Sequence, residues 1–455
     1  MKIAIVAGEA SGDSHGAALM EELQKKIPNV IFLGLGGPKM GSTATKREAS
    51  GYIENWITES AVLGLWDVLK KYGYFHKKFS SLLKQLEQEK PEAIILIDYA
   101  GFNLRLARAI RRRKLPIKII KYISPQVWAW NRRRIPEMAR NLDLMICIFP
   151  FEEKIYKDSG LPTVFSGHPL VEKLMALQNK PERLKKSQSG CSTRDKNTTG
   201  QEIAEWTTVR QPKGLSREGA SEFNHRSAAS INTRGGEHQN DGVMHGYGFF
   251  ENALKREKNL LGLFPGSRSR EVHHIFPAMA AAAKRVMEQN PSIRCEVAAA
   301  TTAHACQMET IISKMDNLAI TITVGQATTL MQRAAFGLVC SGTATLEAAA
   351  LGLPYALVYK ATPLTAMVAR RLIKVPYLGI INILAGHLVV KEFLQEAATP
   401  QALAQEALYF LENHQAAQEL SKNVTAVAAT LRSEGAYERA AEAIFNRLKP
   451  EDIDN

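Results

Sequence analysis

The sequence predicts two doubly wound parallel α/β domains in tandem, followed by a helical tail. Three observations carry this expectation. Apolar strand-like runs alternate with amphipathic helical stretches over the first 170 residues, and a second such series begins near residue 260. Between the two series lies a polar stretch with almost nothing to bury. Beyond residue 400 the pattern is wholly helical. Strand–helix alternation implies parallel strands with helices on both faces, because a parallel crossover needs room for a helix.

In the first series, strands are predicted at 2–7, 30–35, 93–98, 117–123, 144–149 and 163–165, with amphipathic helical segments including 17–26, 79–89 and 104–113. The 93–97 run is apolar throughout, as suits a strand covered on both faces. In the second series, strands are predicted at 259–264, 294–299, 319–323, 337–340 and 355–359, and helices at 271–288 and 344–351. Residues 400–448 read as helix. The chain thus divides into a first domain, 1–172, a linker, 173–258, a second domain, 259–399, and a tail, 400–455. Within the linker, 179–251 is rich in Ser, Thr, Gly, Asn, Gln and charge, so it cannot offset its ordering entropy and reads as a disordered insertion. His225, His238 and His245 fall there with irregular spacing and predict no metal site. No internal repeat is present.

Hydrophobic residues make up 45% of the 455, enough for two real cores. There are 58 Lys+Arg against 45 Asp+Glu, a net +13 that favours anionic partners: nucleic acid, phosphorylated metabolites or acidic lipid. Five scattered cysteines (Cys147, Cys191, Cys295, Cys306, Cys340) lack metal-ligand or disulfide-framework spacing and suit reduced thiols in a cytosol. The chain opens on a buried-strand pattern without a signal-like leader. No run approaches the ~18–20 apolar residues of a spanning helix. The expectation is a protein that sits on a membrane without crossing it.

Candidate chemistry clusters where strands end, the ligand edge of a parallel sheet. After the first strand comes Gly8-Glu9-Ala10-Ser11-Gly12-Asp13. Its glycines admit close backbone approach and its helix start favours anions. It matches neither GxGxxG nor GxxxxGK[ST], so a dinucleotide fold or P-loop ATPase is not supported. Helix capping by Ser11 or Asp13 is the plainer alternative. Gly34-Leu35-Gly36-Gly37-Pro38 ends the second strand as either a sugar-binding loop or a tight turn. Asp98 ends its apolar strand beside Asn103, placed for general-base work; a helix cap is the alternative. Ser124-Pro125-Gln126-Val127-Trp128-Ala129-Trp130 offers a sugar-stacking wall or ordinary core. Arg132–Arg134 follow it as a solvated face or as phosphate and headgroup contacts.

In the second domain, Pro265-Gly266-Ser267-Arg268 follows a strand and opens a helix, as a diphosphate site requires. Ser341-Gly342-Thr343 repeats the device, with Glu347 one turn on as acceptor for ribose hydroxyls. Residues 70–79 interleave lysines with Tyr72, Tyr74, Phe75 and Phe79, the composition of either a membrane-surface helix or an ordinary amphipathic one. Nucleic acid tolerates such a stretch, but no recognisable nucleic-acid module accompanies it.

Taken in order, the strings AGEASGD (7–13), GLGGPKM (34–40), IDYAGFNLRLARA (97–109), YISPQVWAW (122–130), FPFE (149–152), GHPL (167–170), LFPGSR (263–268), SGTATLEAAALGLP (341–354), KVPYLGIINILAG (374–386) and VVKEFLQE (389–396) resemble the lipid-A-disaccharide synthases, glycosyltransferase family 19. They span the chain apart from the insertion. The resemblance implies a GT-B fold: two Rossmann-like domains facing a cleft, with the tail crossing back. It implies transfer of 2,3-diacylglucosamine from UDP to 2,3-diacylglucosamine 1-phosphate (lipid X) at the cytoplasmic face of the inner membrane, with no metal or other cofactor. Asp98 matches the family's essential aspartate and would deprotonate the acceptor 6-hydroxyl. Glu9, Ser11 and Asp13 would line the same cleft, Arg268 would stabilise the leaving UDP, and Asn382 and Glu392 match further positions near donor or cleft. Gly101, Asn131 and His387 depart from residues frequent in the family (Asp, Arg and Arg). The nearest rival is another GT-B UDP-sugar transferase, such as the peptidoglycan enzyme that adds N-acetylglucosamine. A different-class rival is a non-catalytic basic protein binding anionic lipid or RNA.

Overall fold

The computed structural model describes residues 1–45, 51–57, 72–171, 174, 256–316, 318–362, 367, 371, 375–431 and 435–449. The predicted insertion, with its histidines and Cys191, lies outside the described residues, as do Lys70 and Lys71 of the lysine–aromatic stretch.

Two parallel sheets form the frame. The first holds β1 (Lys2–Ala7), β2 (Ile31–Gly36), β3 (Tyr52–Asn55), β4 (Ala93–Ile97), β5 (Lys118–Tyr122), β6 (Leu144–Cys147) and β7 (Thr163–Phe165), in the order β3-β2-β1-β4-β5-β6-β7. The second holds β8 (Glu257–Phe264), β9 (Arg294–Ala299), β10 (Ile320–Val324), β11 (Ala334–Cys340), β12 (Tyr355–Tyr359) and β13 (Glu392–Leu394), in the order β10-β9-β8-β11-β12-β13. Every recorded pairing is parallel, and helices cover both faces of the first sheet. β4 and β11 are buried at every position and β1 at every position after Lys2, which is why they read as apolar runs. Strand order reverses between β1 and β4 in one sheet and between β8 and β11 in the other. Those reversals open the crevices in which doubly wound sheets take ligands.

The two-sheet α/β expectation holds, with local corrections. β3 and β13 are edge strands too short to carry a periodic signal. The first helix runs Ala10–Lys26, not from residue 17, so Ser11, Gly12 and Asp13 form its first turn rather than a loop. Its N-cap is Glu9, whose side chain makes no cap bond, so neither Ser11 nor Asp13 caps it. β4 stops at Ile97, because Asp98 takes φ = 40° and leaves the strand. In the lysine–aromatic stretch, Tyr74, Phe75 and Phe79 pack against the first domain's core on the Tyr72–Glu89 helix, with Phe79 edge-on to Phe102 and Phe75 edge-on to Trp56. The three rings are half-buried, so each has a core contact of the kind an ordinary amphipathic helix makes.

Three helices close the chain. Pro400–Glu412 packs on the Ser269–Gln289 helix and on β11, and His414–Ala429 packs on the Thr343–Ala350 helix. Ala436–Leu448 belongs to the other domain: Ala440, Ala441 and Ile444 are buried with Ile3, Ile5 and Ile95 beneath the first sheet. Lys118 Nζ donates to the Arg447 carbonyl (2.7 Å), and Arg439 Nε to the Ser166 carbonyl (2.7 Å). Small residues at 440 and 441 let the helix lie close to its neighbour, the Ala10–Lys26 helix.

Replacing Ala441, which is fully buried, by Glu places an unpaired carboxylate in this seam. We expect a loss of at least ~3 kcal/mol in urea denaturation, against a change under ~0.5 kcal/mol for the exposed Glu419→Gln.

Candidate functional site

β1 and β4 lie side by side at the first reversal, and their C-terminal ends carry the two candidate acids. Asp98 and Tyr99 both adopt φ = 40°, a left-handed conformation that non-glycine residues take only when their surroundings enforce it. Four contacts enforce it. The Asp98 amide donates to the Tyr122 carbonyl (3.1 Å). The Asp98 carbonyl accepts from Lys121 Nζ (2.7 Å) and Asn103 Nδ2 (2.9 Å). The Tyr99 ring lies on Gly8, where an added Cβ would come within 2.4 Å of it. Gly8 is thus required by a close ring approach. Trp56 meets Tyr99 edge-on and donates from Nε1 to the Ala7 carbonyl (2.7 Å), tying the β1 end to the same knot.

Electrostatics join the two domains here. Burial and the charge of Asp98 raise the Glu9 carboxyl above its ordinary range, while Arg268 of the second domain lowers it. His15, one turn into the first helix, is held below the usual histidine range by burial and raised in part by Asp98. Its Nδ1 lies 2.9 Å from the Tyr437 hydroxyl of the final helix, so the tail reaches the edge of this site. Asp98 thus acts through charge on both Glu9 and His15, and Arg268 reaches Glu9 from the second domain.

Other predicted residues serve the scaffold. Asp13 is buried, and its carboxylate accepts from the amides of Gly37 (2.9 Å), Lys39 (3.1 Å) and Met40 (3.0 Å). It caps the Pro38–Ala44 helix, with its oxygens already shared among amides, and does not present a free base. A Cβ on Gly12 would meet Ala7, and one on Gly36 would meet Met40 and Ile53, so both glycines allow close packing. Asn103 is fully buried as a turn clamp. Trp128 is buried too, donating from Nε1 to Glu152 (2.8 Å) with its ring edge-on to Phe151, which makes it support rather than a sugar-stacking wall. Gln126 and Ser11 remain exposed.

At the second reversal, β8 ends in the Pro265–Arg268 turn and β11 in Ser341-Gly342-Thr343. The expectation of free amides is corrected: those of Ser267 (3.2 Å) and Arg268 (3.3 Å) donate to Glu271, which completes a helix cap, and an added Cβ on Gly266 would strike that carboxylate. Pro265 is buried beneath the turn. The Arg268 guanidinium, 77% exposed, projects free apart from a 3.2 Å contact with Glu271. Gly342 (φ = 146°) and Thr343 are exposed with open space around the glycine, and Glu347 accepts from Thr328 Oγ1. Asn382 and Glu392 are committed internally. Glu392 accepts from the amides of Leu378 and Gly379 and from Asn382 Nδ2, while the Asn382 carbonyl oxygen accepts from Val389 and Val390. These bonds shape the loop before β13. Gly101 is exposed with nothing near its missing Cβ, and His387 is exposed. Among the described residues, no group of three or more His, Cys, Asp or Glu is placed to hold a metal ion.

Sequence reasoning missed three contributors: Lys121, Glu152 and Tyr437. Lys121 left one signal, a lysine inside the apolar run of β5. Glu152 was quoted only as part of a string, and Tyr437 lies hundreds of residues from the site it touches.

Two doubly wound sheets whose reversals share one charged cleft, with the last helix crossing back, define a GT-B protein. Solved structures share the arrangement. A UDP-GlcNAc 2-epimerase from Neisseria meningitidis bound to UDP-GlcNAc is 13% identical, with TM-score 0.55 over 98% of this chain and 100% of that one. A glycosyltransferase from Rickettsia africae is 9% identical, with TM-score 0.50 over 98% of each. At such identity these show the fold alone. The family model for lipid-A-disaccharide synthetase matches residues 3–197 and 249–445. Lipid-A-disaccharide synthase 1 of Legionella pneumophila (strain Paris) is 33% identical over 87% of this chain and 84% of its own length. The lipid-A-disaccharide synthase of Geobacter sulfurreducens is 31% identical over 98% and 97%. The chain belongs to the lipid-A-disaccharide synthase family.

Burial drives the Glu152 carboxyl up to about 7, against the bonds from Trp128 and the Phe149 amide that favour its charge. The folded state then binds a proton that the unfolded state releases, so this group's stabilisation is lost as pH rises from about 5 to 8. Glu152→Gln keeps an acceptor for Trp128 and should flatten that slope, by on the order of 2 kcal/mol, in urea midpoints measured across the range.

Proposed function

We propose that Asp98 is the general base and Arg268 the leaving-group cation of a single displacement. The reaction is formation of the lipid A disaccharide: 2,3-diacylglucosamine passes from UDP to 2,3-diacylglucosamine 1-phosphate. The acceptor 6-hydroxyl oxygen attacks the anomeric carbon, its proton goes to Asp98, and the bond to UDP breaks with both electrons on the diphosphate. Attack opposite the leaving group inverts the centre and gives the β-1′,6 linkage.

The observation that carries this reading is that Asp98 and Glu9 stand at the strand ends of the first strand-order reversal and Arg268 at that of the second, with Arg268 acting on Glu9 through charge. A base is then held on one wall and a cation on the other, as charge development in the transition state requires. Glu9, its carboxyl raised by burial and by Asp98, suits a hydrogen bond to a sugar hydroxyl. Gly342, Thr343 and Glu347 stand exposed or half-buried beside the Arg268 turn and suit the nucleotide.

Acylated substrates place the working enzyme at an anionic membrane surface, on the cytoplasmic face of the inner membrane. Among the described residues no helix is long and apolar enough to cross a membrane. Trp130, 44% exposed, with Arg132 and Arg133 exposed beside it, offers an aromatic and basic surface for such contact.

With UDP-2,3-diacylglucosamine and the 1-phosphate acceptor in detergent and EDTA, UDP should appear only when both lipids are present. Asp98→Ala and Arg268→Ala should each lower turnover at least ~100-fold with folding retained by circular dichroism. Near-normal turnover in either variant removes that residue's role, and absence of UDP from folded protein favours a non-catalytic binder.

A further inference from the structure

Lys121 lies in the middle of the first sheet and is completely buried. Its Nζ donates to three backbone carbonyls: Leu96 (3.1 Å), Asp98 (2.7 Å) and Tyr122 (3.2 Å). An ammonium has three N–H groups and meets three acceptors. A neutral amine has two, and would turn a lone pair towards a carbonyl oxygen. The packing does not call for a lysine: its neighbours in β5, Ile119 and Ile120, fill equivalent buried positions with hydrocarbon. No salt bridge is recorded for it among the described residues, so the sheet accepts the cost of a buried cation for the sake of those carbonyls. Two of them, Leu96 and Asp98, bracket the point where β4 breaks into the left-handed turn.

We propose that Lys121 is a positioning residue for the transfer reaction, its ammonium holding the Asp98–Tyr99 turn so that the Asp98 carboxylate faces the acceptor. The inference rests on the reading of Asp98 as the base. Loss of the proton would loosen the turn and misdirect the carboxylate without touching either lipid.

The charge state of Lys121 is poised to change. Burial drives it down to about 7, with Asp98 raising it in part. On the strands beside β5 and on the face that Lys121 shares with Ile119, the ionisable groups are Asp98 on the β4 turn, Cys147 at the end of β6, and Glu152 and Tyr156 on the Pro150–Lys157 helix. Of these, Asp98 is the one that acts on Lys121 appreciably.

The test is steady-state kinetics on the full-length protein between about pH 6 and 9.5, for wild type, Lys121→Met, Lys121→Gln and Asp98→Asn. We expect wild-type kcat to fall through an alkaline limb. Lys121→Met, of similar volume, should lower kcat ~10–100-fold at the optimum, leave KM for both lipids within ~3-fold, and abolish the alkaline limb. Lys121→Gln, with two donors restored, should fall between. A general loss of stability would not produce the kcat-only change or the altered pH profile. Wild-type kcat in Lys121→Met, an alkaline limb that persists in it, or a flat wild-type profile overturns the proposal. If the methionine variant does not fold, the glutamine variant is judged by the same readouts. Asp98→Asn separates the two readings: an active Asp98→Asn ends the base assignment, whereas an inactive one beside an unaffected Lys121→Met ends only the role of Lys121.

Discussion

Much of this protein's candidate site depends on one strained turn. Asp98 and Tyr99 stand in left-handed backbone where β4 should have continued, a cost on the order of 1–3 kcal/mol for each residue. Strain of that size persists only when neighbours over-determine it. Here the Asp98 carbonyl takes hydrogen bonds from the Lys121 ammonium and the Asn103 amide. A bond to a charged donor contributes about 1.5–3 kcal/mol, enough to offset one strained residue. Packing supplies the rest: Tyr99 lies on the bare backbone of Gly8 and edge-on to Trp56. The gain is geometric. The acid leaves the strand at once and faces the crevice beside Glu9 instead of following the sheet.

The second domain matters to this turn through charge and through connection. Arg268 comes from a turn that spends its own amides on Glu271, which leaves the guanidinium as the group able to meet an incoming anion. The last helix ties the domains from the opposite side. It is laid under the first sheet by Ala440, Ala441 and Ile444 and carries Tyr437 to His15. The His168 amide bonds the Leu431 carbonyl (3.0 Å), so the chain leaving the first domain and the chain returning to it meet. Relative domain position therefore bears directly on the distance between Asp98 and Arg268.

How much was legible in the sequence follows from the range of the forces involved. β1, β4 and β11 were readable because burial on both faces demands continuous hydrocarbon, and the glycine-rich strand ends were readable because turns demand special backbone. Asp98 and Arg268 stood out as charges at those ends. Asp13 looked the same as Asp98 in one dimension, yet it is surrounded by amides from another segment that take up its oxygens. The rings at 74, 75 and 79 suited a membrane surface or a core equally well, and only the fold shows that Trp56 and Phe102 stand opposite Phe75 and Phe79.

The sequence by itself determined the two α/β units, the helical end and the family, because periodicity and ordered motifs are local properties of the chain. The tertiary structure decided which polar side chains remain available for chemistry. That depends on what lies within about 3 Å of each oxygen and nitrogen, the reach of a hydrogen bond. Lys121 shows the difference: in the sequence it is a stray charge in a strand, and in the fold it is the donor that three carbonyls require.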